Sequence, residues 1–255
     1  SPEVLLVVPV RPGNHYVVPA LGLLYLATAL RRAGHGVGLV DCARDKLDVA
    51  GFVRAAVDAR SPVVGIQFHS SDYPLIAQML PPLRRARPDA AIVLGGPHPT
   101  CYPDCIENSQ RLDAVCVGEG EFAMLELVQA LASGSDPSRI KSLWVRKDGA
   151  IVKNESRPFI ANLDELPYED RELFDTQRAI DKYGMSQMRV LTTRGCPFQC
   201  TYCANRRISQ AQSSQYVRYR SAKHIMGELI EIKRKFKFKE IFFDDLRIHN
   251  QAAFY

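Results

Sequence analysis

The first 135 residues alternate short β-branched or leucine-rich runs with longer helical patterns, and this rhythm leaves few folds open. The apolar runs fall at Val4–Val8, Val37–Val40, Val63–Ile66, Ala91–Leu94 and Ala114–Val117. Helical patterns follow at Ala20–Ala33, Leu47–Ala59 and Tyr73–Arg87, then a short one near Tyr102–Asn108, and Glu121–Ala132. Gly34, just past Arg31-Arg32-Ala33, is a helix stop. Strands apolar along their whole length, each followed by a crossover helix, predict a parallel sheet covered on both faces, a Rossmann-like α/β layer with right-handed crossovers. In such a sheet a ligand sits beyond the carboxyl ends of the strands. The candidate binding loops are therefore Pro9–Pro19, Asp41–Lys46, Gln67–Asp72 with His69 and Ser70, Gly95-Gly96-Pro97-His98-Pro99-Thr100, and Gly118-Glu119-Gly120-Glu121. Glycines there let a ligand approach the backbone, and the helix N-termini that follow offer free N–H groups.

Residues 136–180 break the rhythm. Ser142–Val145 and Ala150–Lys153 flank Arg146-Lys147-Asp148-Gly149, whose Asp-Gly step predicts a hairpin. Pro158, Pro167 and the acidic run Asp164, Glu165, Glu169, Asp170, Glu172 mark a connector. A second α/β region starts near Met188, with a strand around Val190–Thr193, a helix over Ala222–Lys235 and a strand over Glu240–Phe243 that ends in Asp244-Asp245. The expected division is a Rossmann-like domain over 1–135, hairpin and connector over 136–187, and the start of a second α/β unit over 188–255. Two parallel strands bury too little surface to stand alone, so the expectation is that this unit is the first part of a larger one.

The chemistry lies in Cys196-Pro197-Phe198-Gln199-Cys200-Thr201-Tyr202-Cys203, which follows the strand at Val190. Three thiolates in a C-x3-C-x2-C array can hold three irons of a 4Fe–4S cluster and leave the fourth iron open. Structural zinc usually takes four ligands, and no second C-x-x-C or H-x3-H pair lies near; His224 falls inside a predicted helix. A zinc or redox site stands as the alternative. The other cysteines are Cys42, Cys101, Cys105 and Cys116, seven in all, an odd number. With no secretion signal, that count points to a reducing, cytoplasmic setting. Cys116 reads as a core residue, and Cys101 and Cys105 as bystanders. No apolar run reaches the roughly 18–20 residues that span a bilayer. The net charge of +5 is modest, and Lys233-Arg234-Lys235 reads as a solvated helix face, so nucleic acid is not an expected partner.

Gly118-Glu119-Gly120-Glu121-Phe122-Ala123 formally matches a dinucleotide fingerprint. It follows the last strand of the layer instead of the first, and Glu119 and Glu121 would face a pyrophosphate and repel it.

Taken in order, Gly22-Leu23-Leu24-Tyr25-Leu26-Ala27, Gly95-Gly96-Pro97-His98-Pro99-Thr100, Val117-Gly118-Glu119-Gly120-Glu121, the cysteine array and Phe243-Asp244-Asp245 resemble the cobalamin-binding radical S-adenosylmethionine (SAM) family. The resemblance implies a cobalamin-binding domain followed by a partial (β/α) barrel, with a 4Fe–4S cluster, SAM and cobalamin as cofactors. It implies that Cys196, Cys200 and Cys203 ligate the cluster, that Tyr202 lies beside the adenine of SAM, and that Asp244 and Asp245 lie near its amino group. Simple packing is the alternative for Tyr202. The cofactor-facing residues of the first domain would include Ser70, Gly95, Gly96, His98, Gly118 and Glu119; a structural hydrogen bond is the alternative for His98 and His69. The family often has an aromatic where this chain has Arg247, and Asp41-Cys42-Ala43-Arg44-Asp45-Lys46 lacks the histidine that other cobalamin proteins give to cobalt. The activity implied is methylation of an unactivated carbon in a small-molecule or peptide substrate. An adenosyl radical removes hydrogen, methylcobalamin gives the methyl group, and a donor such as flavodoxin or ferredoxin supplies electrons. The alternatives are a radical cyclase, oxidoreductase or rearrangement enzyme without methyl transfer, or a radical SAM enzyme whose first domain has lost cobalamin. Methylthio transfer would need a different cysteine pattern in the first domain. High Ala, Arg, Val and Leu use associates the chain with relatives in natural-product pathways.

Overall fold

The computed structural model describes residues 1–9, 17–212 and 214–246. In the first part, β1 (Val4–Val8), α1 (Leu21–Arg32), β2 (Val37–Asp41), α2 (Val49–Ala59), β3 (Val63–Gln67), α3 (Tyr73–Ala86), β4 (Ala91–Gly95), α4 (Pro97–Cys101), β5 (Ala114–Cys116) and α5 (Glu121–Ser133) alternate as the sequence predicts. Strands β1 to β5 are parallel in the order β2-β1-β3-β4-β5. The order reverses between β1 and β3, and that crevice is where an open sheet of this type takes a ligand.

Period-two alternation divides the core. Leu5, Val7, Val64, Ile66, Ile92 and Leu94 face α2 and α3, packing on Phe52, Ile76, Met79 and Leu83. Val4, Leu6, Val63 and Val93 face α1 and α5, packing on Leu23, Leu30, Met124 and Leu127. Both faces are covered, which is why each strand reads as an unbroken apolar run. Caps set the helix ends. The Asp48 carboxylate accepts the Gly51 N–H at 2.7 Å to start α2, and Gly34 at φ +91° ends α1 with the His35 N–H on the Leu30 carbonyl.

The hairpin β6 (Leu143–Lys147) and β7 (Ala150–Lys153) turns on Asp148-Gly149, both with positive φ. Its first strand is shifted and runs two residues further than the expected Ser142–Val145, and its second matches the expected Ala150–Lys153. β6 pairs antiparallel with β5, so the hairpin completes a seven-stranded sheet. The short helix expected near Tyr102–Asn108 is also displaced. Pro97, with its fixed φ, starts α4 directly behind Gly96, and only a 3-10 turn, Pro103–Ile106, follows.

The connector wraps the outer side of α1. Ile160, Leu163 and Leu166 bury Tyr25, and Phe174, with Ala179 of α6 (Thr176–Tyr183), buries Leu21 and Leu24. Thus α1 is enclosed by the sheet on one side and the connector on the other. The second unit consists of β8 (Gln187–Val190), β9 (Thr193–Arg194), α7 (Ala204–Gln210), β10 (Arg218–Tyr219), α8 (Ala222–Lys235) and β11 (Glu240–Phe243). β8 pairs parallel with β11, and β9 pairs antiparallel with β10. The expected single strand at Val190–Thr193 is therefore broken. Asp245 accepts the N–H groups of Thr192 and Thr193 at 2.9 and 2.7 Å and both of their hydroxyls, which steers the chain away from β11. Among the described residues no helix is long and apolar enough to cross a membrane.

Buried charges tie α8 to the connector. Arg171 pairs with Glu169 at 3.2 Å and Glu228 at 2.8 Å, and Arg220 pairs with the other Glu228 oxygen at 2.5 Å.

Gly96 has φ +96°, and a Cβ there would lie 2.8 Å from Gln67 Cγ and 3.1 Å from the Phe68 carbonyl oxygen. Gly96→Ala is therefore expected to cost about 1–3 kcal/mol, read as a lower midpoint in urea unfolding.

Candidate functional site

Two adjoining cavities open at the carboxyl ends of the parallel strands. The first, about 280 Å³, runs between the sheet and helices α1 and α5. Gly22, Gly65, Gly95, Gly96, Gly118 and Gly120 pave it, and Leu191 and Arg194 of the second unit close it. The second, about 330 Å³, lies at the β1/β3 reversal and is lined by Val8, Asp41, Gln67 and His69 from the first domain and by Arg189, Leu191 and Asp244 from the second. Gly22, Gln67 and Leu191 line both. A large ligand lying across the two would touch both units at once.

Of the residues expected to face a cofactor, Gly95, Gly96, Gly118 and Glu119 line the first cavity and Asp244 lines the second. The other four line neither. Ser70 and His98 bind each other, Oγ to Nδ1 at 2.9 Å, and the imidazole packs among Phe68, Tyr73 and Tyr102 at centroid distances of 4.9–5.5 Å. Burial lowers the His98 pKa, which favours the neutral ring. Tyr202 is 91% exposed. Asp245 spends its carboxylate on Thr192 and Thr193, whereas Asp244 pairs with Arg189, both oxygens 3.2 Å from Nη1. Arg247 and most of the Pro9–Pro19 loop lie outside the described residues.

The acidic Gly-Glu-Gly-Glu segment does not present free carboxylates to a ligand. Glu119 Oε1 accepts from Arg194 Nη1 at 2.9 Å, and Glu119 Oε2 accepts from Arg218 Nη1 at 2.9 Å and the Ile160 N–H at 2.7 Å. Glu121 Oε1 accepts from Arg194 Nη2 at 2.6 Å. The Arg194 guanidinium also sits 5.1 Å from the Tyr25 ring centroid. The segment is therefore a socket for the strand that delivers the cysteines. Burial works to raise the Glu119 pKa, but Arg194 and Arg218 outweigh it and hold the carboxyl below its usual value. Arg194, Arg218, Arg189 and Leu191 were not singled out in the sequence as site residues, where the available signal was an arginine two residues before the cysteine array; Gln67 opened the expected loop Gln67–Asp72 and lines both cavities.

The cysteine loop leaves β9 through Gly195, at φ +93°, and ends at Cys203, which precedes α7. Cys196, Cys200 and Cys203 are half-buried free thiols on this one loop, and the Cys203 N–H donates to the Cys200 carbonyl at 3.1 Å. Among the described residues no three Cys, His, Asp or Glu side chains converge as they would around a metal ion. The donor set still fits an iron–sulfur cluster: three reachable thiols from one loop, with hydrogen bonds from Asn205 lowering the pKa of Cys203 toward the thiolate. Cys42, Cys101, Cys105 and Cys116 are buried, and burial pushes Cys105 up to about 11 and Cys116 to about 12, as inert core thiols require. Helix α7 rests on α4, where Arg207 Nε donates to the Cys101 carbonyl at 3.3 Å.

Comparison with known proteins adds three kinds of likeness. Residues 14–128 match the family model described as B12 binding domain. The chain is 32% identical over 235 residues to an uncharacterized methyltransferase of Pyrococcus horikoshii, covering 89% of this chain and 49% of that protein. It is 31% identical over 194 residues to an anaerobic magnesium-protoporphyrin IX monomethyl ester cyclase of Synechocystis, covering 74% of this chain and 38% of the cyclase. The chain thus spans about half the length, or less, of these curated relatives. Among solved structures, the cobalamin-dependent SAM radical enzyme OxsB, with aqua-cobalamin and SAM bound, aligns with TM-score 0.79 at 19% identity over 96% of this chain and 34% of OxsB. At that identity the likeness is one of fold.

Arg194→Met leaves Glu121 and half of Glu119 buried without their cation, and a cost of about 3–5 kcal/mol is expected. The pH dependence has a definite sign. The folded Glu119 pKa lies below its ordinary 4.5, so its contribution is complete above pH 4.5 and is lost as pH falls through the folded value. Urea unfolding of wild type and Arg194→Met as a function of pH checks this: the gap between them should be widest near neutral pH and narrow as the pH falls, because protonation relieves the buried carboxylates of the variant and removes the wild-type ion pair.

Proposed function

Because this chain belongs to the cobalamin-binding radical SAM family, we propose that it carries the cofactor-holding part of an enzyme that methylates an unactivated carbon of a small-molecule or peptide substrate. The observation that carries the reading is the pair of adjoining cavities, the first paved by glycines and closed by Arg194 of the strand that leads into the three cysteines, the second lined by both units. When bound, SAM split at a reduced 4Fe–4S cluster supplies a hydrogen-abstracting radical and cobalamin supplies the methyl group.

The chain's own residues do the placing. Cys196, Cys200 and Cys203 hold three irons. Gly95, Gly96 and Gly118 let a flat macrocycle and its side chains approach the strand ends, where a Cβ would intrude. Leu191 lines both cavities and presents an apolar side chain where they adjoin. Asp244, at the mouth of the second cavity, presents carboxylate oxygens suited to the ammonium of SAM, and Arg189 holds that carboxylate in place. Tyr202, exposed beside Cys203, is available to cover an adenine ring. A cytoplasmic setting, where thiols stay reduced, and a protein electron donor complete the proposal.

The similarity to a magnesium-protoporphyrin cyclase favours a second reading, in which the same cofactors serve ring formation without methyl transfer.

Anaerobic purification with hydroxocobalamin, followed by cobalt and iron analysis, tests the cofactor assignment. About one cobalt and four irons per chain are expected, and Cys196→Ala, Cys200→Ala or Cys203→Ala should each abolish the cluster. A folded, cluster-loaded protein without cobalt would remove methyl transfer from the proposal. With methyl-labelled SAM and the full-length enzyme, label in the product supports methylation; unlabelled, cyclised product supports the second reading.

A further inference from the structure

One tyrosine touches both ends of the cysteine loop. At the entry, a Cβ on Gly195 would lie 2.2 Å from the Tyr216 carbonyl oxygen and 2.8 Å from its carbonyl carbon, so the backbone of Tyr216 lies flat against the residue before Cys196. At the exit, the Tyr216 hydroxyl donates to Asn205 Oδ1 at 2.6 Å, and Asn205 Nδ2 donates to Cys203 Sγ at 3.4 Å. The Tyr216 ring is itself placed by Phe159 of the connector, 5.2 Å between centroids, and the Phe159 N–H is fixed by Ser214 Oγ at 2.8 Å.

The order of the relay matters. With its carbonyl oxygen engaged by the phenol, the Asn205 amide has its nitrogen turned to the sulfur. Asn205 is half-buried near the start of α7, a helix docked on the first domain through Arg207, so backbone and amide are both held. An N–H donor on a ligating sulfur withdraws electron density from the cluster and makes it easier to reduce, one of the means by which proteins set iron–sulfur potentials.

We propose that Asn205, oriented by Tyr216, is a positioning residue that raises the reduction potential of the cluster held by Cys196, Cys200 and Cys203. This rests on the cluster assignment above. The significance is electronic: the donor acts on the ease of the first electron's entry through its hydrogen bond to the Cys203 sulfur.

The test is a redox titration of the reconstituted cluster, followed by electron paramagnetic resonance of the reduced state, in wild type, Asn205→Ala and Tyr216→Phe, with iron and sulfide counted in each. Asn205→Ala should move the midpoint to more negative potential, and Tyr216→Phe should move it the same way by less, because the amide remains but is no longer oriented. A purely structural role would lower cluster occupancy and leave the midpoint of the occupied fraction unchanged; that result overturns the proposal. If Asn205→Ala holds no cluster, Tyr216→Phe decides alone, and an unchanged midpoint there overturns it. If neither variant holds a cluster, the residues serve assembly and the tuning role falls. Absence of a four-iron cluster from folded wild type would instead overturn the underlying assignment, and the iron count separates that failure from the others.

Discussion

The arrangement depends on one guanidinium. Arg194 reaches from the second unit into the first domain and takes an oxygen from each of two carboxylates, Glu119 and Glu121, while Arg218 takes the remaining oxygen of Glu119. These groups are largely withdrawn from water, where an ion pair is stabilising only if its geometry is complete. Completeness here comes from the Ile160 N–H, which satisfies Glu119 once more, and from the Tyr25 ring beneath the cation. Because Arg194 also forms part of the wall of the first cavity, the interaction that fixes the units against each other is the one that shapes the site.

Helix α1 supplies the apolar counterpart. Leu23, Leu26 and Leu30 belong to the sheet-facing core, while Leu21, Leu24 and Tyr25 are covered by the connector. A helix apolar all round must be enclosed, and the enclosure makes the connector part of the domain's packing. Polar pairs hold the far end, where Glu228 of α8 meets Arg171 and Arg220 in a buried network. The site sits between an apolar seam and two ionic ones.

Much of this was legible in the chain. Five strands, their helices and the cysteine loop follow from local patterns that the tertiary structure reinforces, since each strand is buried on both faces. The glycine loops were found because positive φ and close approach leave a mark in composition. The ionic socket was not legible: Glu119 and Arg194 are 75 residues apart, and a carboxylate beside glycines reads the same whether it faces a ligand or an arginine. The family resemblance placed Asp245 near a cofactor; its hydrogen-bond partners, Thr192 and Thr193, become neighbours only when β8 and β11 pair. The hairpin was expected between the first domain and the connector, and its place in the seven-stranded sheet was not legible because turn chemistry reveals two strands but not the sheet they join.

The short spacing between Arg194 and Cys196 has a geometric consequence. Two residues of extended chain span at most about 7 Å. With Arg194 anchored in the cavity wall, the Cys196 backbone stays within that distance of the Arg194 backbone, and the first thiol is held near the glycine-paved cavity. The reach from anchor to thiol is thereby written into the chain as a count of residues, with Gly195 as the single link between them.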